Sequence, residues 1–360
     1  MDENIRSIDQ DRSKGFTIHR SRPKLMIAAL VVAAVVAMAA IGVISFYAAL
    51  LPVDGQANEN IRIVIKQGQT ASEIASTLQE HGLIRNKAAF ELYTDLTGKN
   101  SQLRSGGYLL KKSHSVQDIV EHLSTGKTDE LRVTILPGLT VEELSDPTVE
   151  GSLAQQGFTP QELEYALKKN YKSGLFKDRP TGTSLEGYIY PETYIIAADD
   201  TLDHVLSMTF AEFYKGITEK NIEEQLKAQG LTLYQGVVLA SIVQKEVSDP
   251  SDQRQVAQVF LKRLKEGMNL GSDVTFFYAA KKEGRKPSVS DPSPYNTRIH
   301  AGLPPGPIAN FHLSALQAVA NPASGDFLYF VAGDDGKTYF ARTEAEHMTN
   351  VASHCTKLCQ

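Results

Sequence analysis

The sequence predicts an α+β protein in three parts: a single N-terminal transmembrane helix, a small α/β module and a larger mixed α+β domain. Residues 25–51 contain no charged side chain, which indicates a membrane span. After them, short alternating apolar runs bounded by Gly, Pro or Asn are interleaved with stretches of helical periodicity. The chain of 360 residues has room for two or three domains.

Composition excludes several classes of protein. The formal net charge of −5 gives no electrostatic footprint for nucleic acid, so no nucleic-acid partner is expected. The only cysteines, Cys355 and Cys359, exclude a disulfide-rich scaffold and a four-thiolate zinc site. They could pair in an oxidising compartment, but on a C-terminal tail that is expected to fray (351–360) we expect them to do little.

The uncharged segment fits one tilted membrane helix, since about 20 apolar residues cross the hydrocarbon core. Basic residues lie immediately before it, and the first charge after it is Asp54. The positive-inside rule therefore places residues 1–24 in the cytoplasm and the chain after about residue 52 outside. Cleavage as a signal sequence at the Ala-rich end is the alternative that the pattern leaves open. The basic residues are Arg20, Arg22 and Lys24.

A polar linker, 52–60, precedes the small module, 61–127. Alternating isoleucines predict a strand over 61–65, and Gln67-Gly68 predicts a turn. Thr70 is expected to cap a helix that ends near Gly82. A second helix, a returning strand at 106–110 and a third helix capped by Ser115 follow. This small unit is expected to dock a partner or bind glycan.

The larger domain, 128–350, opens with the same succession of strand, Pro-Gly turn, Thr cap and helix. Partial duplication of the module and chance recurrence both remain open. Residues 184–191 predict a buried strand stopped by Pro191. Helices are predicted at about 201–218, 220–229, 232–247 and 252–266, and a strand pair at 327–332 and 338–341 with a hairpin turn between them.

One carboxylate ends an otherwise apolar helical stripe. At about 100° per residue, Leu239, Ile242, Val243 and Glu246 share a face. Burial would raise the pKa of this glutamate and keep it protonated near neutral pH, as a general acid requires. The alternative is a glutamate that bends out to water, and Gln235 on the same face favours it slightly.

Further candidates follow downstream of this helix. Asp273 and Thr275 are predicted in an extended stretch, on the same side of it, where they could contact a substrate. A surface turn with an Asx cap is the alternative. Tyr295 could stack on a sugar ring beside the Pro-rich loop 302–310, unless that loop is only a rigid connector. Glu186 is a weaker candidate contact, for which an exposed strand-edge acid is an equal explanation.

Several of these phrases, in this order, resemble the endolytic murein transglycosylases, the YceG-like family. The resemblance covers nearly all of residues 61–350, and no metalloprotease, P-loop, dinucleotide or serine-esterase motif competes with it. It also implies that 61–127 is a LysM-like module. The matching segments are LASIVQKE, VAQVFLKRLKEGMNLGSDVT, YNT, GLPPGPIAN, LYFVA, EH, SLEGYIYPETY and the Gly-Gly-Tyr strand.

The resemblance implies an inner-membrane enzyme with an external catalytic domain. It implies cleavage of the β-1,4 bond between N-acetylmuramic acid and N-acetylglucosamine in peptidoglycan strands, leaving a 1,6-anhydro end. The family's catalytic glutamate aligns with Glu246, while Gln244 replaces the first glutamate of the family phrase. One carboxylate suffices for this chemistry, so no metal and no cofactor are expected. Peptidoglycan synthases or divisome proteins are the implied partners.

The resemblance also gives roles to the other candidates. Thr275, Tyr295 and Asn296 would position the glycan, and Glu186 completes the predicted substrate-binding set with Asp273. A muramidase-type hydrolase, with Asp273 as second carboxylate, is the enzymatic alternative. A non-catalytic wall-binding scaffold is the alternative from another class. Departures from the family pattern are Lys262, Arg298, Phe311 and the lack of a histidine near Tyr339.

Overall fold

A computed structural model of the chain describes residues 23–357, with side chains from residue 26 onward. The predicted cytoplasmic tail 1–24, with its basic side chains, lies outside the described side chains, and so does Cys359. The described chain is mixed α+β, as predicted, and forms two compact units. The first runs to residue 59 and includes 70–103 and 111–124. The second consists of 60–69, 104–110 and the chain from 125 onward.

The first unit begins with α1 (Pro23–Leu50). Its segment Met26–Leu50 is long and apolar enough to cross a membrane, with a mean hydropathy of 2.9, and its apolar side chains are exposed from Met26 to Ile44. A helix with an apolar surface on all sides is typical of a membrane span. The helix therefore coincides with the segment predicted to anchor the chain.

Three amphipathic helices complete this unit: α2 (Ala71–Glu80), α3 (Lys87–Leu96) and α4 (Val116–Thr125). Thr70 caps α2 in a reciprocal capping box with Glu73, as the sequence predicts. Ser115 caps α4, since its hydroxyl oxygen accepts from the amide of Asp118 at 3.2 Å. The buried residues recur at helical spacing and include Ile74, Leu78, Phe90, Ile119 and Leu123.

The strands of the second unit form three antiparallel pairs. In the order of the chain they are β1 (Ile61–Ile65) with β2 (Gly106–Leu110), β3 (Glu130–Thr134) with β4 (Thr193–Ala197), and β5 (Tyr329–Ala332) with β6 (Thr338–Ala341). The predicted first and last strand pairs are confirmed. Each sheet in the described chain has only two strands, so helix packing supplies most of the core.

The predicted strand over 184–191 is wrong. The segment forms turns, and the strand that follows, β4, begins at Thr193. Gly187 has a φ of +79°, and a Cβ at this position would lie 2.6 Å from the Pro307 Cβ. A left-handed backbone and a close approach to another chain segment both require glycine here and interrupt extended structure.

Within the described residues, nine α-helices complete the second unit. They are α5 (Val141–Leu144), α6 (Pro160–Lys168), α7 (Leu202–Glu219), α8 (Ile222–Ala228), α9 (Leu233–Glu246), α10 (Pro250–Lys265), α11 (Asp273–Lys282), α12 (Leu313–Ala320) and α13 (Glu344–His354). The four predicted helices are confirmed within three residues as α7 to α10. In α9 the side chains of Leu239 and Ile242 are fully buried, and this helix contacts α8, α10, α11 and α12. α9 is therefore the central element.

The extended stretch predicted for Asp273 and Thr275 is also wrong, because both residues lie in the first turn of α11. Ser272 is the residue that precedes the helix, and the apolar residues after it recur at helical spacing. The side chains of Asp273 and Thr275 therefore point in different directions instead of lining one side of a strand.

The C-terminal segment is held in place rather than frayed. α13 contacts both β5 and β6, and the His354 ring stacks on Tyr339 with 3.7 Å between ring centroids. The Asp334 carboxylate in the hairpin turn accepts from the Thr356 amide at 2.8 Å. Cys355 is buried and disulfide-bonded, which fits an oxidising compartment.

Candidate active site

Glu246 is the last residue of α9, and the start of that helix explains how it is positioned. Thr232 caps α9 in a capping box whose second member is Gln235. Gln235, which is a polar residue on the otherwise apolar face of this helix, is thus explained as a capping residue. Leu239, Ile242 and Val243 are fully buried, as predicted, so the helix is anchored and presents Glu246 at its partly exposed end.

The environment of Glu246 favours its protonated form. Burial raises the pKa of this carboxyl to about 6, and the nearby Asp273 charge acts in the same direction. A hydrogen bond from the Ser272 hydroxyl and the positive charge of Arg298 lower it and limit the rise. The C-terminal end of a helix also disfavours a negative charge. A carboxyl group with a pKa of about 6 can both donate and accept a proton near neutral pH.

Ser272 is fixed by a network of buried hydroxyl groups. Its amide donates to the Thr297 Oγ1 at 3.1 Å, and its carbonyl accepts from the Thr275 Oγ1 at 2.7 Å. The two threonine hydroxyls lie 3.0 Å apart, and Thr275 and Thr297 are almost fully buried. The network leaves the Ser272 hydroxyl free to donate to Glu246 from a fixed backbone.

A guanidinium group anchors the loop that leads to Ser272. Arg263 on α10 donates to the Leu270 carbonyl at 2.7 Å and to the Leu328 carbonyl at 2.6 Å. It also lies over the Tyr329 ring, 5.1 Å from its centroid. Gly271 follows with a φ of +67°, and a Cβ at this position would lie 2.8 Å from the Arg263 Nη1. The loop before Ser272 is thereby tied to the C-terminal hairpin.

Asp273 and Arg298 form an ion pair beside Glu246. Both side chains are nearly half-exposed, so the pair borders solvent. Asp273 also lies in the first turn of α11, where the helix dipole favours a carboxylate. Arg298, which the sequence presents as a departure from the family pattern, thus neutralises the acid next to Glu246.

The other residues predicted to contact the substrate differ in how exposed their side chains are. Tyr295 is half-buried and contacts the Tyr278 ring with 5.1 Å between centroids. Asn296 is fully buried, and its amide donates to the Asp291 carbonyl at 2.8 Å, which shapes its loop. Thr275 is equally buried in the hydroxyl network. For Thr275 and Asn296 a framework role is observed, and direct contact with a glycan stays a prediction.

The Pro-rich loop 302–310 lies against α9. The Ser241 hydroxyl oxygen on that helix accepts from the Ile308 amide at 3.0 Å, and the Tyr234 hydroxyl donates to the Pro305 carbonyl at 2.7 Å. Gln244 is used elsewhere, since its side-chain oxygen accepts from the His312 amide at 3.0 Å. Gln244 and Glu246 therefore serve different surroundings, as the helical periodicity predicts.

Glu186 lies in a separate environment, and the explanation as an exposed strand-edge acid is wrong. The residue is 6% exposed, and no strand contains it. Its carboxylate accepts from the Val141 amide at 3.2 Å and from the Tyr278 hydroxyl at 3.2 Å. Burial raises the pKa of Glu186 to about 7 in spite of these donors and of the nearby Lys282 charge.

The structure adds Ser272 and Arg298 to the residues around Glu246. Sequence reasoning missed Ser272 as a partner of the acid. The sequence does contain one indication of its position. Ser272 precedes an acidic residue and a stretch with apolar residues at helical spacing, and this pattern predicts a helix N-cap. Its distance of 26 positions from Glu246 gave no indication of contact. Between residues 26 and 357, no group of three His, Cys, Asp or Glu side chains is placed to hold a metal ion.

The amino-acid sequence matches a known protein family. The family model described as YceG-like matches residues 63–353. A curated relative from Streptococcus pneumoniae serotype 2, named endolytic murein transglycosylase, is 30% identical over 341 residues, which are 85% of this chain and 60% of the relative. The chain thus spans about 60% of the length of that relative.

Two further matches have lengths closer to that of this chain. An endolytic murein transglycosylase from Bacillus subtilis is 29% identical over 316 residues, covering 83% of this chain and 86% of the relative. A solved structure of a YceG-like protein from Listeria monocytogenes is 27% identical, with a TM-score of 0.47, and the match covers 81% of this chain and 99% of that one.

Proposed function

Because the chain belongs to the YceG-like family, we propose that it is a membrane-anchored endolytic lytic transglycosylase of peptidoglycan. It cleaves the β-1,4 bond between N-acetylmuramic acid and N-acetylglucosamine and leaves a 1,6-anhydro end. The observation that carries the proposal is Glu246, an acid with a pKa of about 6 that a serine hydroxyl holds at the partly exposed end of a buried helix. A cut within a nascent strand ends its elongation.

Glu246 acts twice in the proposed reaction. As general acid it gives its proton to the glycosidic oxygen while the bond from that oxygen to the anomeric carbon breaks. As base it then takes the proton of the muramyl 6-hydroxyl, whose oxygen forms the new bond to the anomeric carbon. The carboxyl is protonated again at the end, so the cycle needs neither water nor a second nucleophile.

Two neighbours tune this carboxyl. The Ser272 hydroxyl donates to the ionised form that exists between the two proton transfers, and Arg298 stabilises the same negative charge. Arg298 also neutralises Asp273, which would otherwise disfavour ionisation of Glu246. Tyr295 offers a half-buried ring for stacking, and Asn296 and Thr275 keep the two loops in place.

The proposed topology follows from the apolar helix. We infer one membrane span at 25–51, a cytoplasmic tail at 1–24 and an external chain after the linker 52–60. Residues 61–127 are proposed as a LysM-like module, 128–350 as the catalytic domain and 351–360 as its C-terminal tail. Peptidoglycan synthases and divisome proteins of the same membrane are the proposed partners.

Product analysis tests the chemistry. Wild-type protein is incubated with purified peptidoglycan strands, and the new ends are measured by mass spectrometry. The proposal expects ends lighter by one water than hydrolysed ends. Hydrolysed ends, together with loss of cleavage in Asp273→Asn, would instead establish the muramidase alternative, which needs the second carboxylate.

A second experiment separates an enzyme from a non-catalytic scaffold. Glu246→Gln keeps the size of the side chain and removes its proton. We expect it to bind strands as wild type does and to cleave them roughly a thousandfold more slowly. Cleavage at the wild-type rate by this variant would exclude Glu246 as the catalyst. No cleavage by either protein, with binding retained, would favour the scaffold.

A further inference from the structure

A cavity of about 510 Å³ lies at the end of α11 opposite to Glu246. Its lining comes from four segments of the second unit, within 140–145, 160–168, 184–186 and 278–282. The walls are mainly aliphatic, and Val141, Leu163 and Leu167 contribute to them. Tyr278 and the buried Glu186 also line it. Apolar walls with a few placed polar groups are typical of a pre-formed ligand site.

The rim of this cavity carries both signs of charge. Lys168 pairs with Glu164 at 2.8 Å, and Lys281 pairs with a neighbouring glutamate. Lys282 and Glu142 also line the cavity, and within residues 26–357 neither has a salt-bridge partner. The Lys282 ammonium instead donates to the Tyr278 hydroxyl at 3.3 Å. Lys282 also lies close enough to Glu186 to lower its pKa. The mouth of the aliphatic cavity thus carries one cation and one anion that no salt bridge occupies within the described residues.

We propose that this cavity binds the peptide that is attached to the muramic acid of the strand. This inference rests on the proposed function and adds a second contact with the same substrate. A short peptide has aliphatic side chains, at least one carboxylate and, where it carries a diamino acid, an ammonium group. Lys282 matches the carboxylate and Glu142 matches the ammonium. A sugar chain would match the aliphatic walls poorly, because its surface is rich in hydroxyl groups.

The spacing along α11 fits one substrate that reaches both sites. At 1.5 Å per residue, Ser272 beside Glu246 and Lys282 at the cavity are separated by roughly 15 Å along the helix axis. Four extended peptide residues span at most about 14 Å, and the lactyl ether of muramic acid adds to this reach. Tyr278, which lines the cavity, contacts the Tyr295 ring, and Arg298 three residues after Tyr295 lies close enough to Glu246 to lower its pKa.

The test compares two forms of the same glycan: strands that carry peptides, and strands from which an amidase has removed them. The full-length protein is assayed in detergent with both. Lys282→Glu is expected to raise KM for peptide-bearing strands about tenfold, the effect of losing one charged hydrogen bond, and to leave KM for stripped strands unchanged. Lys265→Glu is the matched control, since it reverses an exposed last-turn cation of α10 away from the cavity and should change neither value.

Equal KM values of wild type for the two strands, or an equal effect of Lys282→Glu on both, would overturn the proposal. Calorimetry with the free peptide keeps this test apart from the proposed function. If wild type cleaves neither strand but binds the peptide, and Lys282→Glu weakens that binding about tenfold, then the cavity assignment holds and the enzymatic proposal fails. If the peptide does not bind wild type at all, the cavity assignment fails whatever is cleaved.

Discussion

Glu246 and Glu186 are two acids with raised pKa values near the two ends of α11, and their surroundings differ in kind. Glu246 receives a side-chain hydroxyl, lies close to an ion pair and keeps part of its surface exposed. Glu186 receives a backbone amide and a buried phenol and is 6% exposed. The pKa values are about 6 and about 7, with burial as the main cause in both cases.

The comparison shows that a raised pKa does not by itself identify a catalytic acid. Glu186 has the larger rise, yet its hydrogen bonds tie together α5 and α11, and a substrate would have to displace them. Glu246 has the smaller rise and keeps part of its surface exposed, so a ligand can reach it without displacing those hydrogen bonds. Two features separate the acids. Glu246 is accessible to a ligand, and it has a charged neighbour, Arg298, that stabilises its ionised form after a proton is given away.

The largest expected effect is a loss of strand cleavage when each acid is replaced by its amide. We expect Glu246→Gln to lower the rate of strand cleavage roughly a thousandfold, the usual scale for a lost general acid, and Glu186→Gln to lower it less than about tenfold. Both rates are measured on the same strands by release of soluble fragments.

Circular dichroism of the two variants serves as the control for folding. Equal losses of cleavage in two folded variants would contradict the division of roles. A larger loss in Glu186→Gln would move the catalytic assignment to Glu186.

The next largest expected effect is that of Glu186 on the pH dependence of the free energy of unfolding. A carboxyl whose pKa is raised from 4.5 to about 7 in the folded state is protonated in both states below pH 4.5, and folding becomes less favourable as pH rises toward 7. Glu186 should therefore remove about 2 to 3 kcal/mol from the free energy of unfolding across this window. In Glu186→Gln this part of the pH dependence is expected to vanish.

Denaturant titrations of wild type and Glu186→Gln at both ends of the window measure it. Glu246 contributes a loss in the same direction between pH 4.5 and about 6, and this contribution should remain in the variant. An unchanged pH dependence in Glu186→Gln would mean that Glu186 titrates normally in the folded protein.

The third prediction concerns the hydroxyl group that donates to Glu246. The Ser272 hydrogen bond stabilises the ionised carboxyl, so Ser272→Ala should raise the pKa of Glu246 and move the alkaline limb of the rate profile to higher pH. We also expect kcat to fall about tenfold, because the carboxylate loses its positioning donor.

The pH profile of kcat/KM distinguishes this role from a structural one. Ser272→Thr keeps the hydroxyl and should restore the wild-type limb. A fall in kcat without any movement of the limb would show that Ser272 does not act on the carboxyl.

The smallest effect is expected at the exposed ion pair. Arg298→Ala removes a charge that lowers the pKa of Glu246 and leaves Asp273 without its partner, so the limb should again move to higher pH. Because the pair borders solvent, we expect less than a threefold change in rate and a shift that salt diminishes. Arg298→Lys should behave as wild type, and a salt-independent shift would contradict an electrostatic cause.

The central helix and its acid were predictable from the sequence because each rests on local rules. Leu239, Ile242 and Val243 share one face of α9, and the last residue of the helix on that face is Glu246. The N-caps at Thr70 and Ser115 were equally local. Periodicity alone was sufficient to orient Gln244 away from Glu246.

The errors arose where distant segments decide the local conformation. Residues 184–191 look like a strand, but Pro307 packs against Gly187 and only a left-handed glycine fits there. The alternation of residues at the start of α11 suggests extended backbone, but the Thr297 hydroxyl oxygen, 25 positions away in sequence, accepts from the Ser272 amide and fixes the backbone there. The partners of Glu186 lie 45 and 92 positions away in sequence, so its burial had no local signal.

The Arg263 anchor has a consequence for the order in which the protein is assembled. The loop before Ser272 shares this guanidinium with Leu328, which follows Ser272 by 56 residues (328 − 272). At common rates of synthesis that interval corresponds to roughly 3 to 11 seconds. A chain that emerges N-terminus first therefore displays α9 and its glutamate well before the hairpin can fix the hydroxyl partner. The surroundings of Glu246 are therefore completed only after the C-terminal hairpin has been synthesised.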